Sequence, residues 1–218
     1  AGGNESAAEE LGMNVVMSEG YSATAPDLSS LVTKLKRSRP DVILHTGYNP
    51  DITLFLRQAK EQGLRFKALI GHGAGYGVPD KLYDALGSDI DHIFNVDPVS
   101  IWLLDPKSLA AGLPEITEMV GTEYQKAKPE MKVKSASLGQ GASNSFVFFD
   151  DVLPRAIKKY GGIDSEALRK AAMDTDIATG GTLLGYGVKF PQKGENDMMG
   201  QNKRASPVVM QYVDRKVF

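Results

Sequence analysis

The chain has 218 residues, with 25 Lys and Arg against 27 Asp and Glu, a formal net charge of -2 and 42% hydrophobic residues. That balance is ordinary for a globular protein of one large or two small domains, and leaves no basic footprint for nucleic acid or an acidic membrane surface. The lack of cysteine excludes disulfides, thiolate zinc sites and cysteine nucleophiles, and no apolar run approaches the roughly 18 residues of a membrane span.

Residues 4–11 read as a helix, stopped by Gly12 acting as a C-cap glycine. The opening AGGNESAAEELGM looks like the end of an amphipathic helix, so the expectation is a chain whose N-terminal part is absent. Residues 14–21 (NVVMSEGY) read as a short strand. Pro26 and Asp27 open a helix in which Leu28, Leu31, Val32 and Leu35 recur at helical spacing, and Arg39-Pro40 ends it. Lys34, Lys36, Arg37 and Arg39 sit at its end, where cations suit the helix dipole. Residues 41–47 (DVILHTG) form a short apolar run of the kind buried on both faces of a parallel sheet.

Asn49, Pro50 and Asp51 then open a helix that Gly63 closes. Residues 66–71 (FKALIG) read as the next strand, followed by a glycine-rich loop at 71–77 (GHGAGYG) and a helix at 79–86. Residues 91–96 (DHIFNV) read as the fourth strand. Strand and helix alternate over short connections, so the first ~100 residues are expected to form a parallel α/β sheet.

The pattern changes at Asp97-Pro98. Residues 99–114 are irregular, and helices are expected within 113–127 and over 137–160, the second kinked at Pro154. Asp164 opens a further helix through Met173. A glycine-rich link at 179–187 leads to a turn-rich tail, a last strand at 208–213 and a turn at 213–216.

Ligands of open α/β sheets bind beyond the carboxyl ends of the strands. Tyr48 and Asn49 lie at such an end, just before a helix N-terminus whose amides favour an anion. The alternative is a loop tyrosine covering its own helix. The loop carrying His72, Gly73 and Tyr76 also follows a strand and precedes a helix, and its glycines would let a ligand approach the backbone. It matches neither the P-loop nor the dinucleotide fingerprint, and a mobile surface loop is the bland reading. Asp97, Ser100 and Trp102 stand at the suspected crossing, where a hinge-packing role competes with binding.

The three histidines, His45, His72 and His92, have no metal-type spacing, and His45 reads as a satisfied core residue. Asp150-Asp151 reads as a solvated helix face. No G-x-S-x-G, H-E-x-x-H or EF-hand pattern is present, so neither a catalytic site nor a metal nor a cofactor is expected.

The tail 200–208 (GQNKRASPV) closely resembles that of solute-binding proteins of branched-chain amino-acid-type ABC importers, the Leu/Ile/Val-binding family. The stretch Gly47-Tyr48-Asn49-Pro50 is similar to a "GGY-x-P" stretch of that family, and the loop at 71–77 has its counterpart there. The resemblance implies a type I periplasmic-binding-protein fold: two lobes of parallel sheet flanked by helices, joined by hinge crossings. Residues 1–97 would be the second lobe without its first strand, 98–190 the returning part of an incomplete first lobe, and 191–218 a return to the second.

It further implies an extracytoplasmic, periplasmic solute carrier that is not an enzyme. A small-molecule solute, amino-acid-like, carboxylate or aromatic, would be captured between lobes by hinge closure and passed to the membrane permease of an ABC importer. The implied ligand-binding residues are Tyr48, Asn49, His72, Gly73, Tyr76, Asp97 and Trp102. Amino-acid binders of this family usually carry an acid in the loop matching 71–77. None is present here, which points toward a carboxylate or aromatic solute over an α-amino acid. A partial first lobe is expected to expose apolar surface that a homodimer would cover. A sensor domain of the same fold is the alternative function, and an enzyme using the 71–77 loop on a doubly wound fold is a more distant one.

Overall fold

The computed structural model describes residues 2–73, 75–131, 139–191 and 200–218. Ala74, residues 137–138 of the expected long helix and residues 192–199 of the tail lie outside the described residues. The chain forms two compact units, one of Ala1–Asp97 with Val209–Phe218 and one of Pro98–Val208.

The first unit opens with α1 (Gly2–Glu10), stopped by Gly12 at φ 73°. Residues 14–21 run on without joining a sheet, contrary to the strand expected there. A strand is defined by its ladder partner, and β1 is the last strand on its side of the sheet. Helix α2 (Ser29–Ser38) starts two residues after Asp27, whose carboxylate accepts from the Ser29 amide and hydroxyl, and Arg39 ends it in the left-handed region.

Strands β1 (Val42–Thr46), β2 (Ala68–His72) and β3 (Phe94–Asp97) are parallel neighbours. Helix α3 (Asn49–Glu61) joins the first two, and α4 (Asp80–Leu86) with a 3-10 turn at Gly87–Ile90 joins the next. The last strands, β6 (Val208–Val213) and β7 (Lys216–Val217), complete the order β1-β2-β3-β6-β7. Asp214 and Arg215, at φ 49° and 60°, make the tight turn between them, as the primed hairpin turns require. The core gathers Val32, Ile52, Phe55, Leu69, Leu82, Ile90 and Tyr212. Strand β1 is not buried on both faces as its apolar run suggested. Ile43 and His45 are inside, while Val42 and Leu44 remain 44% and 47% exposed, as befits an edge strand with one open face.

The second unit begins with turns and a 3-10 segment at Pro106–Ser108, then α5 (Leu113–Ala127). The expected kinked helix is α6 (Gln140–Val147), a π turn at Phe148–Val152 and α7 (Leu153–Tyr160). Pro154 has no amide hydrogen to give, and the Leu153 amide reaches back five residues to the Phe148 carbonyl, so the helix widens by one residue there. Helix α8 (Ser165–Met173) is capped by Asp164, which accepts from the Glu166 and Ala167 amides. Strands β4 (Asp176–Ile177) and β5 (Val188–Lys189) pair antiparallel.

The tail rejoins the first unit at Val209 and not at 191. Two residues of the GQNKRASPV stretch account for the difference. The Asn202 side chain accepts from the Lys189 amide at 3.0 Å and donates to the Gly187 carbonyl at 2.8 Å. Arg204 donates to the Ile177 carbonyl at 2.6 Å and pairs with Asp176. Both clip the tail onto the β4–β5 ribbon.

Candidate binding edge

The carboxyl ends of β1 and β2 lie side by side, with Thr46 in register with His72. The chain leaving β1 passes through Gly47 and Tyr48 into α3. The chain leaving β2 passes through His72 and Gly73. Gly73 has φ 99°, and a Cβ there would stand 3.5 Å from both the Gly47 carbonyl oxygen and the Thr46 methyl. A side chain at Gly75 would collide with Ile52 and lie 2.7 Å from the Tyr48 carbonyl carbon and 2.9 Å from the Asn49 nitrogen. At Gly75 the second loop lies against the backbone of Tyr48 and Asn49 too closely for a side chain, and at Gly73 the left-handed φ favours glycine.

Five of the sequence candidates share this edge. Tyr48 is 64% exposed at the start of α3. Asn49 is the first residue of that helix and half-buried, with a side-chain oxygen buried and without a hydrogen-bond partner. His72 is exposed at the end of β2, beside Gly73. Asp97 ends β3, one strand further along, in reach of the Asn95 side chain.

Tyr76 lies elsewhere. It is wholly buried, and its ring covers Gly71, so its side chain belongs to the interior and not to the exposed edge. Trp102 belongs to the second unit, where its indole packs on Gly121 of α5 and meets the Tyr124 ring edge-on at 6.2 Å. With Ile101, Leu104 and Thr117 it lines a cavity of about 780 Å³ there. Among the described residues no cluster of His, Cys, Asp or Glu is placed to hold a metal ion, and no helix is long and apolar enough to cross a membrane.

Beneath the edge runs a chain of hydrogen bonds that the sequence did not disclose. Asp51, 3% exposed, accepts from the Tyr48 amide at 2.9 Å with one oxygen and from the Tyr21 hydroxyl at 2.6 Å with the other. The Tyr21 oxygen lies 2.7 Å from His45 Nε2, and His45 Nδ1 lies 2.6 Å from the Tyr76 hydroxyl. Burial pushes the His45 pKa down to about 4, against the opposing pull of Asp51. Burial raises the Tyr76 hydroxyl well above its ordinary range, and burial followed by the Asp51 bond does the same for Tyr21. The ring is thus a neutral imidazole at pH 7. The Tyr76 carbonyl accepts from the Tyr212 hydroxyl at 2.6 Å, and Tyr212 meets the Asn95 side chain at 3.3 Å. A glycine inside a strand, Gly71, was the one sequence signal that another group lies close over the backbone.

The polar edge can hold a small solute by backbone amides, an exposed phenol and an imidazole. Among the described residues, Asp51 is the buried carboxylate beside it, with each oxygen accepting one hydrogen bond within the protein.

A family model described as periplasmic binding protein matches residues 3–207. The Leu/Ile/Val-binding protein homolog 7 of Brucella abortus (strain 2308) is 35% identical over 210 residues, 96% of this chain and 48% of that protein. The chain thus spans about half the length of the curated relatives it matches. Among solved structures, an extracellular ligand-binding receptor from Rhodopseudomonas palustris HaA2 superposes with TM-score 0.73 at 17% identity, over 98% of this chain and 57% of that one. A leucine binding protein from Thermotoga maritima MSB8 gives TM-score 0.67 at 21% identity, over 96% and 52%. These likenesses show the type I periplasmic-binding-protein fold.

Proposed function

The chain belongs to the periplasmic binding protein family, and from that premise we propose that it is the solute-holding part of an extracytoplasmic carrier serving an ABC importer. Its relatives are solute-binding proteins and not enzymes, so no chemistry on the solute is required of it. Binding energy does the work: a solute that favours the closed form shifts the population toward it, and the permease in the membrane receives that form.

The observation that carries the reading is the convergence of Tyr48, Asn49, His72 and Gly73 at the adjoining carboxyl ends of β1 and β2. The solute we assign is a small carboxylate, aromatic in preference to an α-amino acid. An ammonium group is held best by a carboxylate at hand in the site. The loop at 71–77 carries none, Asp51 is buried beneath the edge with a donor on each oxygen, and Asp97 stands one strand further along, in reach of the Asn95 side chain. An aromatic carboxylate would lay its ring against Tyr48 and direct its charge to His72 and the amides at the start of α3.

Thermal unfolding of this chain, and of a form extended N-terminally toward the length of its relatives, tests the assignment. Benzoate is expected to raise the unfolding temperature of the extended form and leucine to leave it unchanged. A rise with leucine that Asp97→Asn abolishes would keep the carrier and refute the carboxylate assignment. No rise with either compound would count against the carrier reading for both solute classes.

A further inference from the structure

The directions of the buried hydrogen bonds are fixed by elimination. The two Asp51 side-chain oxygens accept from the Tyr48 amide and from the Tyr21 hydroxyl. Tyr21 has then spent its one proton, and its oxygen must accept from His45 Nε2. A neutral imidazole protonated at Nε2 has only a lone pair at Nδ1, so the Tyr76 hydroxyl donates there. One tautomer and one set of directions satisfy every member. The series begins at the amide of the loop after β1 and ends on the side chain of the loop after β2.

From this geometry we propose that Asp51, Tyr21, His45 and Tyr76 are positioning residues, which hold the loop after β1 and the loop after β2 in one fixed relation at the exposed edge. That this edge faces solute rests on the proposed function; the coupling of the loops does not. The sheet below is already held by apolar burial of Ile43, Leu69 and Phe55, so a polar chain is not needed to form it. Burying polar groups costs free energy unless every one is satisfied, and what such a network adds over apolar packing is direction and register. Here the register concerns the close backbone approach of Gly75 to Tyr48 and Asn49. Tyr212 extends the hold by fixing the Tyr76 carbonyl.

The sharpest test uses Tyr21→Phe, because among the described residues the hydrogen bonds of Tyr21 lead toward the second loop through His45. Amide hydrogen exchange of the 218-residue chain is read at Tyr48, at Gly77, whose amide is bonded to the Gly73 carbonyl, and in the β1–β2 ladder. The expected result is at least tenfold faster exchange at both Tyr48 and Gly77, with the ladder amides changed far less. Tyr76→Phe, which keeps the ring over Gly71, should produce the same pair of changes. A rise confined to the loop nearest the substitution, or an equal rise at all amides, would overturn the proposal. No solute enters this experiment, so failure of benzoate and leucine to bind would weigh against the proposed function alone. If benzoate binds, its affinity should fall about tenfold in Tyr21→Phe, and an unchanged affinity would likewise overturn the positioning role.

Discussion

The Tyr76 ring lies so close over Gly71 that a Cβ on residue 71 would stand 2.3 Å from the ring. The ring is wholly buried and its hydroxyl is tied to His45, so it has no room to withdraw. Gly71→Ala is therefore expected to destabilise the first unit by about 1–3 kcal/mol, the usual cost of overfilling a packed interior. Urea unfolding measures it, and a loss below about 0.5 kcal/mol would show that the ring moves aside.

The burial of His45 makes stability depend on pH. Its ordinary value is 6.5 and its folded value about 4, so between these the unfolded state binds the proton and the folded state does not. Stability should thus be complete above pH 6.5 and fall as pH drops toward 4, by up to about 3 kcal/mol at 1.36 kcal/mol per pH unit. The groups facing the ring are Tyr21, Tyr76, Asp51 and the Phe55 ring; both tyrosines stay protonated throughout this window. Denaturation midpoints between pH 4 and 7 should lose most of this slope in His45→Gln, and an unchanged slope would assign it to other groups.

Tyr212→Phe removes one hydroxyl that serves two groups, the Tyr76 carbonyl and the Asn95 amide. Both are buried, and Asn95 already has one oxygen without a partner. The expected loss is about 1–3 kcal/mol, the cost of stranding buried polar groups. Thermal unfolding of the variant checks it, with a neutral outcome showing that the bonds contribute nothing net.

In the second unit, Asn202→Ala strips one acceptor from the Lys189 and Arg204 amides and one donor from the Gly187 carbonyl. Exchange at the Lys189 amide is expected to rise by at least tenfold while α5 is unaffected. A rise of equal size in α5 would mean that Asn202 supports the whole unit and not the ribbon.

The alternating strands and helices of the first unit were legible because each apolar run is bounded by glycine, proline or a capping acid: Asp27, Arg39-Pro40, Asn49 and Gly63 all mark ends the structure keeps within a residue or two. The expected strand at 14–21 was not resolvable from its own residues, since an extended segment becomes a strand only through a partner elsewhere. Strands β4, β5 and β7 are two residues long, below what periodicity reports. The tail was recognisable as a pattern, yet that Asn202 and Arg204 clip the ribbon depends on contacts 13 to 28 residues back. At the edge, the structure puts Tyr48, Asn49 and Gly73 just past the ends of β1 and β2 and His72 at the last position of β2. Chain order gave no means of telling that Tyr76 turns inward, because a glycine-rich loop has no alternation from which to read direction. Tyr21 and Asp51 are 30 residues apart, and only the fold joins them.

The central claim, that solute is held at the carboxyl ends of β1 and β2, is tested most directly by mapping amide NMR shifts of the N-terminally extended form during a benzoate titration. The account predicts the largest first-unit changes at Tyr48, Asn49, His72 and Gly73. Binding with those four amides unmoved, and with shifts gathered instead around the cavity at Trp102, Thr117 and Gly121, would contradict it.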